Sequence, residues 1–297
     1  MNKTIVVRIR GGLGNQLFSY AVARRLSIIN ECELVIDDVT GFIRDKTYQR
    51  QYMLDNFKIP ARKATPYERL VPFERYRRAI KKWLSRQKTY FNRNYVEQEK
   101  LEFDERLLNF KVSETIYLDG LWQSENYFKD VEKIIRDDLC ITPPKDKLNI
   151  SIAYDICNSN SVALHVRWFD APGNDEVHNL SISYYQRAIE LMESKLNAPK
   201  YFLFSDNPIA AREKIQLPSD RVVVVEHNHG DALAYADLWL MSQCQHFITA
   251  NSTFSWWGAW LGQSKDKIVT TPLIMQDKVE KTNWGFEGLI PNNWLTL

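Results

Sequence analysis

A short run of β-branched residues, Ile5 to Ile9, breaks at Gly11, Gly12 and Gly14 and passes directly into a helical pattern that opens near Asn15. That order reads as the first strand, turn and helix of a βαβ unit, whose parallel strands need apolar cover on both faces. Glycines at the turn leave backbone N–H groups bare at a helix N-terminus, a setting that suits phosphate or another anion.

The loop also invites a dinucleotide reading. Gly12-x-Gly14-x-x-Leu17 is followed by an acidic pair, Asp37 and Asp38, at the end of the next strand-like run, Leu34 to Ile36. In that fingerprint the third glycine lets helix and strand close together. Leu17 stands in its place, and a nicotinamide oxidoreductase leaves the motifs further along unexplained.

Strand-like and helix-like stretches alternate again in the second half. Short β-rich runs fall at 161–166, 200–204, 222–225, 246–249 and 267–269, with helical patterns at 182–197, 207–215 and 231–243. A chain of 297 residues is long enough for two cores. Pro143 and Pro144 follow a helix that ends near Cys140, which sets two α/β domains, 1–145 and 146–297, with parallel sheets facing a cleft.

Composition excludes several classes. A net charge of +2 gives no global argument for nucleic acid. The four cysteines (Cys32, Cys140, Cys157, Cys244) lie far apart without a Cys-x-x-Cys, against both a metal knuckle and a disulfide scaffold. With no run of about 20 apolar residues and charge already at Arg8 and Arg10, neither a membrane span nor a signal peptide is expected. The expected location is cytoplasmic, or peripheral to an inner membrane.

The stretch 60–110 differs, being basic, aromatic and helical. Residues 73–93 carry eight Lys/Arg against one Glu, with Phe73, Tyr76, Ile80, Trp83 and Leu84 at helical spacing. Such a helix can lie on an anionic membrane surface. The plainer reading is a surface helix whose apolar stripe packs on its own domain.

Three sites sit where strands end, the edge at which open parallel sheets bind ligands. His165-Val-Arg167-Trp168-Phe169-Asp170 follows an apolar strand, and Arg167 offers a planar fork of donors suited to phosphate; a local Arg–Asp pair is the plainer alternative. Ser205-Asp206-Asn207-Pro208 reads as a functional turn or simply as a helix cap. Asn251-Ser252-Thr253-Phe254-Ser255-Trp256-Trp257 puts hydroxyls and N–H groups at the start of a tryptophan-rich helix, a second anion site with aromatics that belong mostly to the core.

Gly11-Gly-Leu-Gly-Asn15-Gln16, His165-x-Arg167-x-x-Asp170, Phe204-Ser205-Asp206 and Ser252-x-Phe254-Ser255-Trp256-Trp257-x-Ala259 together resemble the α-1,2-fucosyltransferases of glycosyltransferase family 11. The resemblance spans residues 5–260. It implies two Rossmann-like domains in the B-type glycosyltransferase arrangement, with the first on the acceptor side and the second binding GDP-fucose. It also implies inverting transfer of L-fucose to O2 of a terminal β-galactoside, with no cofactor and no divalent metal. Arg167 and Asn15 are the implied catalytic residues. Gly12, Gly14, His165, Asp170, Ser205, Asp206, Asn251, Ser252, Thr253, Phe254 and Ser255 are the implied donor-binding set, with Arg167 on the pyrophosphate and Asn15 reaching toward the β-phosphate or fucose. The implied partners are GDP-fucose and a galactose-terminated oligosaccharide. One position departs from the pattern: Trp168 stands where a second Arg is usual, so a cation is lost from the pyrophosphate site.

The chemistry of the residues is consistent with this. No Asp-x-Asp closes a strand, so a leaving diphosphate depends on organic cations and N–H dipoles. For a general base, Asp37, Asp38, Asp170 and Asp231 are the candidates. Another nucleotide-sugar transferase, a fucosyltransferase of different linkage, and a non-catalytic nucleotide- or glycan-binding protein are the competing readings.

Overall fold

A computed structural model describes residues 3–168, 179–273 and 284–297. They divide into two compact units: one runs to Thr142 and takes in Glu287–Leu289, and the other holds Pro143–Phe286 and Ile290–Leu297. The passage between them falls at Thr142, before the two prolines, and the segment 287–289 belongs with the first unit although it lies near the chain's end.

The first unit carries β1 (Thr4–Arg8), α1 (Leu13–Ile29), β2 (Glu33–Asp37), β3 (Arg62–Lys63), α2 (Glu74–Arg86), β4 (Tyr95–Glu97), β5 (Ile116–Asp119) and α3 (Glu132–Asp138). Its sheet has the order β3-β2-β1-β5-β4, and every pairing is parallel. Helix α1 is buried nearly throughout, and Leu17 is fully enclosed. A leucine at that place fills the helix–sheet interface that a dinucleotide fingerprint closes with glycine. Asp138 of α3 ties α1 down, accepting from Tyr20 Oη at 2.7 Å and Arg24 Nε at 2.8 Å.

The middle region departs from the helical expectation. Among the described residues, the α-helix within 60–110 is confined to α2, and β3 and β4 flank it. Strands this short carry too little alternation to register in sequence. The apolar stripe of α2 also does not pack on its own domain: Tyr76, Ile80, Trp83 and Leu84 all face outward.

The second unit holds α4 (Lys147–Cys157), β6 (Ser161–Val166), α5 (Ile182–Lys195), β7 (Lys200–Ser205), α6 (Pro208–Lys214), β8 (Val222–Val225), α7 (Ala234–Gln243), β9 (His246–Ile248), α8 (Thr253–Leu261), β10 (Val269–Thr271) and β11 (Leu295–Thr296). The order β11-β10-β9-β6-β7-β8, all parallel, is the 3-2-1-4-5-6 arrangement of a doubly wound sheet. Strand β6 is buried along its whole length, as a central parallel strand should be.

Strand β10 begins two residues later than the run 267–269 suggests. Lys267 is drawn away, its ammonium donating to the carbonyls of Ala259 at 2.7 Å and Gly262 at 2.8 Å, where it caps the end of α8. The N–H of Ile268 is likewise spent on His246 Nδ1 at 3.1 Å.

Candidate active site

In a doubly wound sheet the ligand crevice opens where strand order reverses, outside the carboxyl ends of the two strands there. In the second unit those strands are β6 and β9. Just past β6 lies Arg167, just past the neighbouring β7 lies Asp206, and past β9 comes the turn into α8. Three of the sequence motifs are therefore gathered at one edge of one sheet.

Arg167 Nη1 forms an ion pair with Asp206 Oδ2, and the other carboxylate oxygen accepts the N–H of Trp168 at 2.8 Å. Asp206 thereby holds both the guanidinium and the backbone beside it. The orienting acid is on the adjacent strand; Asp170, the expected partner, lies outside the described residues. Ser205 Oγ accepts the N–H of Asn207 at 3.0 Å, and Asn207 Oδ1 accepts from Ala210 N at 3.2 Å as the cap of α6. The capping reading of Ser205-Asp206-Asn207-Pro208 describes the geometry seen, Ser205 and Asn207 building the turn, while Asp206 points its carboxylate at Arg167.

His165 is buried on β6, its ring 5.6 Å from that of Phe254 in the first turn of α8. Burial, reinforced by the charge of Arg167, depresses its pKa to about 3, so the imidazole is neutral near pH 7. Its Nδ1 is buried without a hydrogen-bond partner among the described residues.

The turn into α8 is built from its own hydroxyls. Ser252 Oγ accepts the N–H of Phe254 at 3.3 Å as the helix cap. Ser255 is fully buried; its Oγ donates to Ser252 O at 3.2 Å and accepts from Ala250 N at 3.1 Å. Ser255 therefore shapes the turn from inside, while Ser252, Thr253 and Phe254 are half-exposed at its surface and Asn251 is buried beside them. Trp256 and Trp257 are completely buried and Trp260 nearly so, with the Trp256 and Trp260 rings stacked at 6.2 Å. They anchor the helix start rather than offering a platform to a sugar.

Two residues here escape sequence reasoning. Adjacent tyrosines of α5 pin the strand ends from behind: Tyr184 Oη donates to Thr249 O at 2.6 Å, and Tyr185 Oη to His165 O at 3.3 Å. In sequence Tyr185 reads only as a member of an apolar helix face, and Tyr184 carries no signal at all. Trp168, standing where a second cation is usual, is packed against the core of this unit, with Lys214 Nζ 5.3 Å from the centre of its ring.

In the first unit the strand order reverses between β1 and β5, and the glycine turn follows β1. Gly11 takes φ +74°, a conformation that favours glycine, and a Cβ there would stand 2.9 Å from Asn15 Nδ2, so a side chain would displace that amide. Gly12 caps α1, and Gly14 is buried in its first turn. Asn15 Oδ1 accepts from Gln123 Nε2 at 2.8 Å, which fixes Nδ2 as the donor end of the amide. Gln16 is fully buried and structural: Nε2 donates to Gly11 O at 2.9 Å and Gln51 O at 2.8 Å, and Oε1 accepts from Met53 N. Arg10 is half-buried beside the turn, and the guanidinium carbon of Arg50 lies 3.9 Å from where a Cβ on Gly12 would be.

A second missed feature is a charge cluster at the ends of β1, β2 and β5. Asp119 is buried with Arg8, Lys82 and Tyr95 Oη around it; despite the cost of burial, Arg8 and Lys82 hold its pKa down at about 2. Asp37 is equally enclosed, accepting from Thr40 N at 2.9 Å and from Thr40 Oγ1, and paired with Arg78 at 3.2 Å. Asp37 is thereby committed to Thr40 and Arg78. Asp38 pairs more loosely with Lys63 and Arg69, at 3.7 and 3.8 Å, and Asp231 opens the turn before α7. Among the described residues, no group of three or more His, Cys, Asp or Glu is placed to hold a metal ion.

Comparison with known proteins adds independent findings. The family model described as glycosyl transferase family 11 matches residues 4–295. An alpha-1,2-colitosyltransferase of Escherichia coli is 30% identical over 302 aligned positions, covering 99% of this chain and 98% of that protein. The O-antigen biosynthesis glycosyltransferase WbnK of Escherichia coli is 30% identical over 287 positions, covering 89% and 92%. Among solved structures, a mutant of Arabidopsis thaliana FUT1 in complex with GDP superposes with a TM-score of 0.56 at 13% identity, over 91% of this chain and 70% of that one. The fucosyltransferase NodZ from Bradyrhizobium gives 0.51 at 15% identity, over 87% and 93%. At such identities these structures speak for the fold.

Proposed function

The chain belongs to glycosyl transferase family 11, and from that premise we propose that it transfers L-fucose from GDP-β-L-fucose to O2 of a terminal β-galactoside, with inversion and without a divalent metal. The observation that carries this reading is the meeting, at the switch point of the second sheet, of an acid-oriented arginine and a hydroxyl-capped helix start. Departure of GDP builds negative charge on the β-phosphate, and a preformed Arg167–Asp206 pair keeps the cation in place before the charge appears. The N-terminus of α8 adds its dipole and N–H groups to the same task. Neutral His165 holds the strand end without contributing a charge that would compete with Arg167.

In this reading Ser252, Thr253, Phe254, Asn251 and the turn at Ser205 surround the nucleotide, and Ser255 supports them from within. In place of the second Arg the site has Trp168, with Lys214 Nζ 5.3 Å from the centre of its ring. In the first unit Gly12 and Gly14 form the turn that presents Asn15, which this reading makes a catalytic hydrogen-bond donor as the anomeric carbon becomes oxocarbenium-like.

A second donor has its own support, the 30% identity to an alpha-1,2-colitosyltransferase over nearly the whole chain. Colitose lacks one hydroxyl that fucose carries, and a site that hydrogen-bonds this hydroxyl rejects the deoxy sugar by about 10⁴-fold or more. The deciding experiment offers GDP-fucose and GDP-colitose separately with a panel of β-galactosides, with and without EDTA, and reads the linkage by NMR. An α-1,2-fucosyl product that survives EDTA is the expected result. Preference for GDP-colitose replaces the donor; GDP binding without any glycoside product overturns the reading.

A further inference from the structure

Helix α2 is held by the wrong face for an ordinary surface helix. Its inward side is polar. Arg78 reaches Asp37 at 3.2 Å and Thr40 Oγ1 at 2.8 Å, Lys82 reaches Glu97 at 2.8 Å and Asp119 at 2.9 Å, and Ser85 Oγ accepts from Tyr95 N at 2.8 Å. These contacts follow from the sheet beneath: two buried carboxylates at the ends of β2 and β5 demand cations, and α2 supplies them. With 3.6 residues per turn, positions 78, 82 and 85 then fix the opposite side outward.

That opposite side is the apolar one. Tyr76, Ile80 and Trp83 are 67%, 58% and 63% exposed, and Phe73, just before the helix, is 71% exposed in a left-handed backbone conformation that bulky residues adopt at a cost. Leu84 extends the same stripe. A monomer has every reason to bury such a stripe in its core, and here the charge lock prevents it. Cations border the stripe on both sides: on the helical wheel Arg77 and Lys81 lie along one edge and Arg75 and Arg86 along the other, with Lys88 just beyond the helix. Among the exterior residues of the helix, Glu74 is the acidic exception.

We propose that the outward face of α2 seats the protein on an anionic phospholipid surface, with the aromatic and aliphatic side chains entering the headgroup–acyl boundary and the bordering Lys and Arg meeting the phosphates. Charge complementarity selects this occupant. An apolar stripe between two basic edges fits a plane of anionic headgroups, whereas a second copy of the chain would set like charges against each other. The inference stands on the first unit alone and does not depend on the donor or acceptor of the reaction.

The test is co-sedimentation of the intact protein with vesicles of phosphatidylcholine containing about one-third phosphatidylglycerol, at about 0.05 M and about 0.5 M salt. The protein should pellet at low salt, be released at high salt, and stay in solution with phosphatidylcholine alone. Each Lys or Arg near an anionic surface multiplies partitioning about fivefold, so Arg75→Gln with Lys88→Gln should lower binding about 25-fold. Ile80→Ser with Trp83→Ser should lower it at least as much. Both pairs of changes lie on exposed side chains, and turnover of a soluble acceptor and the melting temperature should be unaltered. Failure of the unmodified protein to pellet with anionic vesicles overturns the proposal. So does wild-type binding by the Ile80/Trp83 variant, or a stable dimer in sedimentation equilibrium that this variant dissociates.

Discussion

Arg167, one residue past β6, and Asp206, one residue past β7, are locked together across neighbouring parallel strands. The lock places a permanent cation at the sheet edge where a ligand crevice opens and keeps its guanidinium plane from wandering. Truncating Arg167 to alanine should lower kcat about 10²–10³-fold, about 2.7–4 kcal/mol of transition-state stabilisation. Asp206→Asn, which leaves the Trp168 N–H with an acceptor, should cost about tenfold. The double variant should be little worse than Arg167→Ala alone; additive losses in steady-state kinetics would show that the two act separately.

Asn15 should separate chemistry from binding. Its amide is oriented by Gln123, and in the proposed mechanism its Nδ2 acts as the bond to GDP lengthens. Asn15→Ala is expected to reduce kcat about 10²-fold, with the dissociation constant for GDP by calorimetry changing about twofold or less. Gln123→Ala should give a smaller fall in kcat of the same kind. Equal losses in binding and turnover would assign Asn15 to ground-state binding.

His165 should make the protein acid-sensitive. Its folded pKa, about 3, lies below the ordinary histidine value of 6.5, so the unfolded chain takes up the proton first as pH falls. Stability is full above about pH 6.5 and declines as pH drops through the window toward 3. The loss amounts to a few kcal/mol, because each tenfold difference in proton affinity between the folded and unfolded chain is worth about 1.4 kcal/mol. Denaturant melts of His165→Asn should show a flatter pH profile between about 6.5 and 4, while Asp119, held down at about 2 by Arg8 and Lys82, contributes its own loss below about pH 4.

The charge lock beneath α2 should be sensitive to loss of one partner. Arg78→Met leaves the buried carboxylate of Asp37 without its cation, and removing one half of a buried pair typically costs about 3–5 kcal/mol. Thr40 and its backbone N–H still serve Asp37, so a loss of about 3 kcal/mol in denaturant melts is expected. Early proteolysis within residues 74–86 should accompany it. Stability unchanged within about 0.5 kcal/mol would mean that the helix is held by other contacts.

How much of this was legible in the chain follows from the range of each interaction. The strand–glycine–helix opening, the alternation in the second half and the residues at the three strand ends were all readable, because each is a local pattern of period, cap or turn. The opening loop also showed its difference from a dinucleotide cradle at one position, Leu17, and that leucine fills the interface under α1. Strands β3, β4 and β5 were not legible as a sheet, since two to four residues carry no usable period.

What only the tertiary structure decided is which partners meet. Arg167 was identifiable from its strand end, but its partner Asp206 lies 39 residues away on the next strand, and nothing local couples the two. The stripe on α2 was visible as an amphipathic pattern, and pattern alone pointed to its apolar face packing on its own domain, which the structure reverses. The buried carboxylates of Asp37 and Asp119 decided it, because a charge enclosed in protein must find its counter-charge, and that need turned the polar face of the helix inward and the apolar face out.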